Sequence, residues 1–86
     1  MMTFSTFNIL PQDMQADELL DSGVYLDLAR QTQRLNIELY ALHNFYVEVY
    51  FDKLTEDPLL LRAFESLKEL EDYFHLISIN TIFNRN

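Results

Sequence analysis

Asn36 to Asp52, NIELYALHNFYVEVYFD, is the stretch on which the fold of this chain turns. In its second half Phe45, Val47, Val49 and Phe51 alternate with Tyr46, Glu48 and Tyr50, the period-2 signature of a strand with one face on a core. In its first half, with Leu35 just upstream, Ile37, Leu39 and Ala41 alternate with Asn36, Glu38 and Tyr40. A helical alternative, running from about Leu28 to Leu54, places Leu35, Leu39, Leu42, Tyr46 and Val49 on one stripe. It leaves Ile37, Phe45, Val47 and Phe51 off that stripe, and the run from Phe45 to Phe51 is β-branched and aromatic apart from Glu48 and so favours strand. Two strands joined by a hairpin are therefore expected.

A three-residue turn, Leu42-His43-Asn44 with Asn44 left-handed, sets Ala41 opposite Phe45, Leu39 opposite Val47, Ile37 opposite Val49 and Leu35 opposite Phe51. All eight apolar side chains then share one face, whereas a two-residue loop mixes Glu38 and Tyr40 with Val47 and Val49. The three-residue register places Glu38 directly opposite Glu48, with Tyr40, Tyr46 and Tyr50 around them. Like charges so placed repel, and a basic group is expected nearby. An arginine of a neighbouring strand or a protein partner could supply it. Glu38, Tyr40, Tyr46, Glu48 and Tyr50 are accordingly the candidate partner-binding face.

Working outward, the segment Met1 to Leu10 is apolar and uncharged, and reads as a frayed tail, a short strand or a segment that docks on a partner. Pro11 suits a helix start and Gly23 a helix stop, which predicts a helix over 11–21 with Asp13, Asp17 and Asp21 as an acidic stripe. Val24, Leu26 and Leu28 then alternate with Tyr25, Asp27 and Ala29, giving a first strand over 24–30. The polar run Arg30 to Arg34 leads into the hairpin strands, 35–41 and 45–51. After DKLTEDP a fourth strand is expected over 59–64, with Arg62 turned to solvent within reach of Glu48, and Leu60 and Phe64 sent outward with it. Ser66-Leu67-Lys68-Glu69 matches a capping box and predicts a final helix over 67–77, with Leu67, Leu70, Phe74 and Ile77 against the sheet. Residues 78–86 form a C-terminal tail. The expected fold class is α+β: a small antiparallel four-stranded β-meander flanked by an N-terminal and a C-terminal helix, as one domain over 1–86. Its expected core is Leu26, Leu28, Ile37, Leu39, Val47, Val49, Leu61, Leu70, Phe74 and Ile77.

Composition bounds function more than it specifies it. The 86 residues contain no Cys, which excludes disulfides, thiolate chemistry and Cys-based zinc sites. A formal net charge of −8 opposes binding to nucleic acid or anionic lipid and favours a basic partner or plain solubility. No apolar run approaches a membrane span and the start lacks a basic signal-peptide region, so a cytoplasmic protein is expected. His43 and His75 have no second ligand at metal spacing, the single Gly rules out a phosphate-cradling loop, and no serine stands in a nucleophile pattern. No cofactor and no catalysis are expected.

The segments DELLDSGVYLDLA, FYVEVYFD, LKELEDYF and ISI, spanning Asp17 to Ile79, resemble a group of short uncharacterised bacterial proteins of unknown function. The resemblance implies the order helix, strands, helix, and carries no catalytic or binding residues. Two functional classes remain from the sequence. One is a non-enzymatic protein-protein interaction module that binds a basic protein or self-associates as a homodimer through its edge strands and outward Leu60 and Phe64. The other is a small ligand-binding domain or hydrolase built around His75 with Glu71 or Asp72 at a dimer interface.

Overall fold

A computed structural model describes residues 2–71 and residue 73. Its elements are α1 (Phe4–Asn8), α2 (Gln12–Ser22), β1 (Val24–Gln31), β2 (Leu35–Leu42), β3 (Phe45–Asp52), β4 (Pro58–Phe64) and a 3-10 turn at Leu67–Leu70. The four strands form one antiparallel sheet in the order β1-β2-β3-β4. The chain is thus an α+β protein built on a β-meander, with strand positions close to those the alternation predicts.

The hairpin register differs from expectation. Leu42 pairs with Phe45, so the loop is His43-Asn44, and Tyr40, Glu38 and Asn36 lie opposite Val47, Val49 and Phe51. His43 takes a positive φ of 55°, as the tight primed hairpin turns require. Glu38 is therefore not opposite Glu48, whose partner is Leu39. The physical reason is that the sheet is covered on both sides. On the helix-covered face Phe7 and Leu19 pack on Leu42, Phe45, Val47 and Val49. On the opposite face Leu39, Phe64, Leu70 and Tyr73 gather with Leu26, Leu28 and Tyr46 around them. With apolar residues needed on both faces, the one-residue shift carries no burial penalty.

The apolar start of the chain is structured. Thr3 caps α1 by accepting the Thr6 backbone N–H at 3.2 Å. Phe7 is fully buried, and the rings of Phe4 and Phe7 lie 5.9 and 5.3 Å from that of Phe45. This segment docks on its own sheet. The Gln15 side-chain amide donates to the Phe7 carbonyl at 2.9 Å and ties α2 to α1. Pro11 precedes α2, its carbonyl accepting from both Met14 and Gln15 at 3.0 Å. At the other end Gly23 has extended backbone, φ −75°, so it is not there for conformational freedom. A Cβ at that position would stand 2.5 Å from the Leu19 carbonyl oxygen, and only glycine permits that approach.

Both edge strands are irregular. β1 carries two extra residues, Leu26 and Asp27, between the Tyr25 and Leu28 pairs, with Asp27 at φ 59°. β4 begins at Pro58, as an edge strand allows, and its register shifts between the Tyr50 and Phe51 pairs. Leu60 is exposed as predicted, but Phe64 is buried because Leu70 and Tyr73 cover it.

The C-terminal part differs as well. The capping box does not form: Ser66 accepts from Lys68 N–H at 3.1 Å, while Glu69 pairs with Arg62. Where the sequence predicts a helix over 67–77, the described residues show a 3-10 turn at Leu67–Leu70, and Phe74, His75, Ile77 and the tail 78–86 lie outside the described residues. Of the expected core, Ile37, Leu39, Val47, Val49 and Leu70 are buried, and Leu26, Leu28 and Leu61 are partly buried against it. Asp13, Asp17 and Asp21 are all exposed along α2.

Candidate functional site

The expected tyrosine and glutamate face divides between the two sides of the sheet. Tyr46, Glu48 and Tyr50 project from β3 to the side carrying Leu70 and Tyr73, while Glu38 and Tyr40 project from β2 to the helix-covered side. The five residues do not form one surface.

Glu48 is only 1% exposed, and it is the hub of its side. Its Oε2 accepts from the Tyr73 hydroxyl at 2.7 Å and from Arg30 Nε and Nη2 at 3.3 and 3.1 Å. Its Oε1 accepts from the Tyr50 hydroxyl at 3.0 Å and from Arg62 Nε at 3.0 Å, with Arg62 Nη2 at 2.9 Å. Arg62 faces Glu48 directly across β3 and β4, and its guanidinium also reaches Glu69. Burial alone pushes the Glu48 carboxyl up, but hydrogen bonds from Tyr73, Tyr50, Arg62 and Arg30 outweigh it and hold the group below its ordinary value. A carboxylate offers about four lone-pair sites, and these donors saturate them. Glu48 is thus an internally satisfied structural centre, with no lone pair left for a partner or for proton transfer. Arg62, foreseen within reach of Glu48, and Arg30, at the head of the polar run before β2, thus meet Glu48 alone and not a Glu38–Glu48 pair, which the register does not form. Tyr73 was not foreseen, because nothing in the pattern of residues 67–77 sets it apart from the polar side of a helix.

On the helix-covered side, the Tyr40 hydroxyl donates to Glu38 Oε1 at 3.0 Å, and the Tyr25 and Tyr40 rings lie 5.3 Å apart. Burial first, and then the bond to Glu38, push the Tyr40 hydroxyl up to about 12. Beside this pair runs an apolar groove of about 500 Å³ between α2 and the β3–β4 hairpin, with Ala16, Leu19, Leu20, Val49, Phe51 and Leu60 among its walls. Leu20 is 86% exposed and Leu60 44% exposed at its margins. Phe51 also walls a second recess of about 180 Å³, which it shares with Asn36, Glu38 and Glu56. Hydropathy patterning flagged Leu60, but not the groove, whose walls come from segments some forty residues apart and meet only through the docking of α2.

His43 bonds to Glu18 at 2.7 Å and so fastens the hairpin tip to α2. Among the described residues no three His, Asp or Glu side chains converge as a metal ion would need, and no helix is long and apolar enough to cross a membrane. His75 and Asp72 lie outside the described residues. Comparison with protein-family models, with curated proteins and with solved structures finds no match.

Proposed function

We propose that this chain is a non-enzymatic interaction module that docks a partner protein through the groove between α2 and the β3–β4 hairpin. The observation that carries this reading is the large apolar side chain of Leu20, 86% exposed, at the edge of a groove walled by Leu19, Val49, Phe51 and Leu61. Exposed apolar surface gathered around a concavity is what a docking site needs, whereas scattered exposed leucines need no explanation.

A small-molecule site is the second reading, because about 500 Å³ falls within the range of ligand pockets. Such sites orient their ligands with a few free polar groups. Here the Gln12 amide donates to the Leu59 carbonyl and the Tyr40 hydroxyl to Glu38, which leaves the Asp13 carboxylate as the charged group among the described walls. Apolar side chains of a protein partner fit this lining better.

Nile red, a neutral apolar dye, tests the reading. Its fluorescence should rise on addition of the protein, with amide shifts concentrated at Ala16, Leu20, Phe51 and Leu61, and Leu20→Ser should weaken the uptake several-fold. Shifts confined to Tyr46 and Tyr50, or no uptake at all, would overturn it.

A further inference from the structure

We infer that the partner segment taken by this groove is basic and amphipathic, its apolar side chains entering between α2 and β3–β4 and an arginine or lysine entering the recess walled by Glu38, Glu56 and Asn36. The inference rests on the docking reading above and names the chemistry of the occupant.

Sheet register sets the two cavities side by side. On the helix-covered face Val49 pairs with Glu38 and Phe51 with Asn36, so the apolar wall on β3 adjoins the acidic wall on β2 with no element between them. Phe51 belongs to both cavities. Glu56, from the turn after β3, brings a second carboxylate to the recess. Among the described residues neither cavity has a Lys or Arg in its walls, and Asp13 adds a further carboxylate to the groove. Of the basic residues, Arg30 and Arg62 pair with Glu48 across the sheet, Lys53 donates to the Thr32 carbonyl, and Arg34 lines neither cavity.

Side-chain acceptors outnumber donors in the second recess, where the Asn36 amide nitrogen is the donor among its described walls. Glu38 and Glu56 offer only acceptor oxygens once ionised, and the Asn36 Oδ1 is buried with no hydrogen-bond partner. An unpaired buried acceptor beside two carboxylates suits a group that brings several N–H donors and positive charge together, as a guanidinium does. The volume, about 180 Å³, equals roughly six waters at about 30 Å³ each, which admits one side-chain head but no element of structure. An anionic or purely apolar occupant would leave the recess uncompensated. Charge complementarity therefore selects a cationic segment from all those that could fill the groove.

The test uses the full chain and a synthetic amphipathic helical peptide with one leucine stripe flanked by arginines, compared with the same peptide carrying citrulline, the neutral isostere, at each arginine. At low salt the arginine peptide should bind about tenfold or more tightly than the citrulline peptide. In a Glu38→Gln, Glu56→Gln double variant, shown by denaturation to be folded, that difference should vanish. In an Asp17→Asn, Asp21→Asn control, which removes the same charge from exposed α2 positions, it should persist. Equal binding of the two peptides, or failure of both while Nile red still enters the groove, overturns the inference and leaves the docking reading standing. Loss of the difference in the control shows attraction by overall charge alone and also overturns it. A homodimer that Leu20→Asp dissolves would assign the groove to a second copy of this chain, with the same result.

Discussion

Tyr73 shows how much a single side chain can add to an otherwise ordinary meander. Its hydroxyl gives the shortest of the bonds to Glu48, its ring lies 5.7 Å from the Arg30 guanidinium carbon, and it closes the opposite face of the sheet together with Leu70. A hydrogen bond to a buried charge is worth about 1.5–3 kcal/mol, so Tyr73→Phe should cost about that much in a urea denaturation series. Glu48→Ala should cost about 3–5 kcal/mol, because it leaves the Tyr73 hydroxyl without its acceptor and two guanidinium groups without their counter-charge. In a double-mutant cycle the two losses should fall well short of additive, since both remove the same bond. Additive losses would mean that the Tyr73 hydroxyl does not act through Glu48. At a stability of about 5–15 kcal/mol, typical of domains, either change is a large fraction of the total.

At the scale of elements, the strands were legible because each alternates with period two over eight or so residues, and Pro11 and Gly23 marked α2 for local steric reasons. Register was not legible. It depends on how many faces of the sheet are covered, and the residues that cover them, Phe7 in α1 on one face and Tyr73 beyond the 3-10 turn on the other, make contacts distant in sequence. The same cause split the candidate site: Glu38 and Tyr40 share a face with Val47 and Val49 only in the two-residue-loop register. The glutamate centre was half visible, through Arg30 and Arg62, and the groove not at all. If α1 is a core element and not a tail, its aromatic anchor must matter. Phe7→Ala should destabilise the protein by about 3–5 kcal/mol, the cost of a cavity where a buried aromatic ring was. Denaturation midpoints of the two proteins measure it, and an unchanged midpoint would mean that α1 does not hold the sheet in solution.

For the whole molecule, the same hydrogen bonds that order the two faces set how stability responds to pH. The Glu48 carboxyl titrates below its ordinary value when folded, whereas in the unfolded chain a glutamate titrates near about 4.3. In acid the unfolded chain takes up protons first, so the contribution of Glu48 is complete above about pH 5 and is lost as pH falls through the folded value. Asp52, held low by the backbone N–H groups of Thr55 and Leu54, acts in the same direction. In alkali the sign reverses. Burial and then Glu38 push Tyr40 up to about 12, and burial and then Glu48 push Tyr73 up as well. An unfolded tyrosine ionises near about 10, so above that pH the unfolded chain has shed protons that the folded chain keeps, and stability falls. Urea midpoints should therefore form a plateau between about pH 5 and pH 9 that falls on both sides. Mutual repulsion among the exposed carboxylates of a chain with net charge −8 works against the acid limb, but it is screened beyond about 8 Å at 0.15 M salt, whereas the enclosed Glu48 bonds are not. Glu48→Gln should flatten the acid limb and weaken the alkaline one, because Glu48 helps to hold Tyr73 up, and Tyr73→Phe should weaken both limbs while the part of the alkaline limb due to Tyr40 persists. An acid limb of full depth in Glu48→Gln would move its origin away from the buried carboxylate.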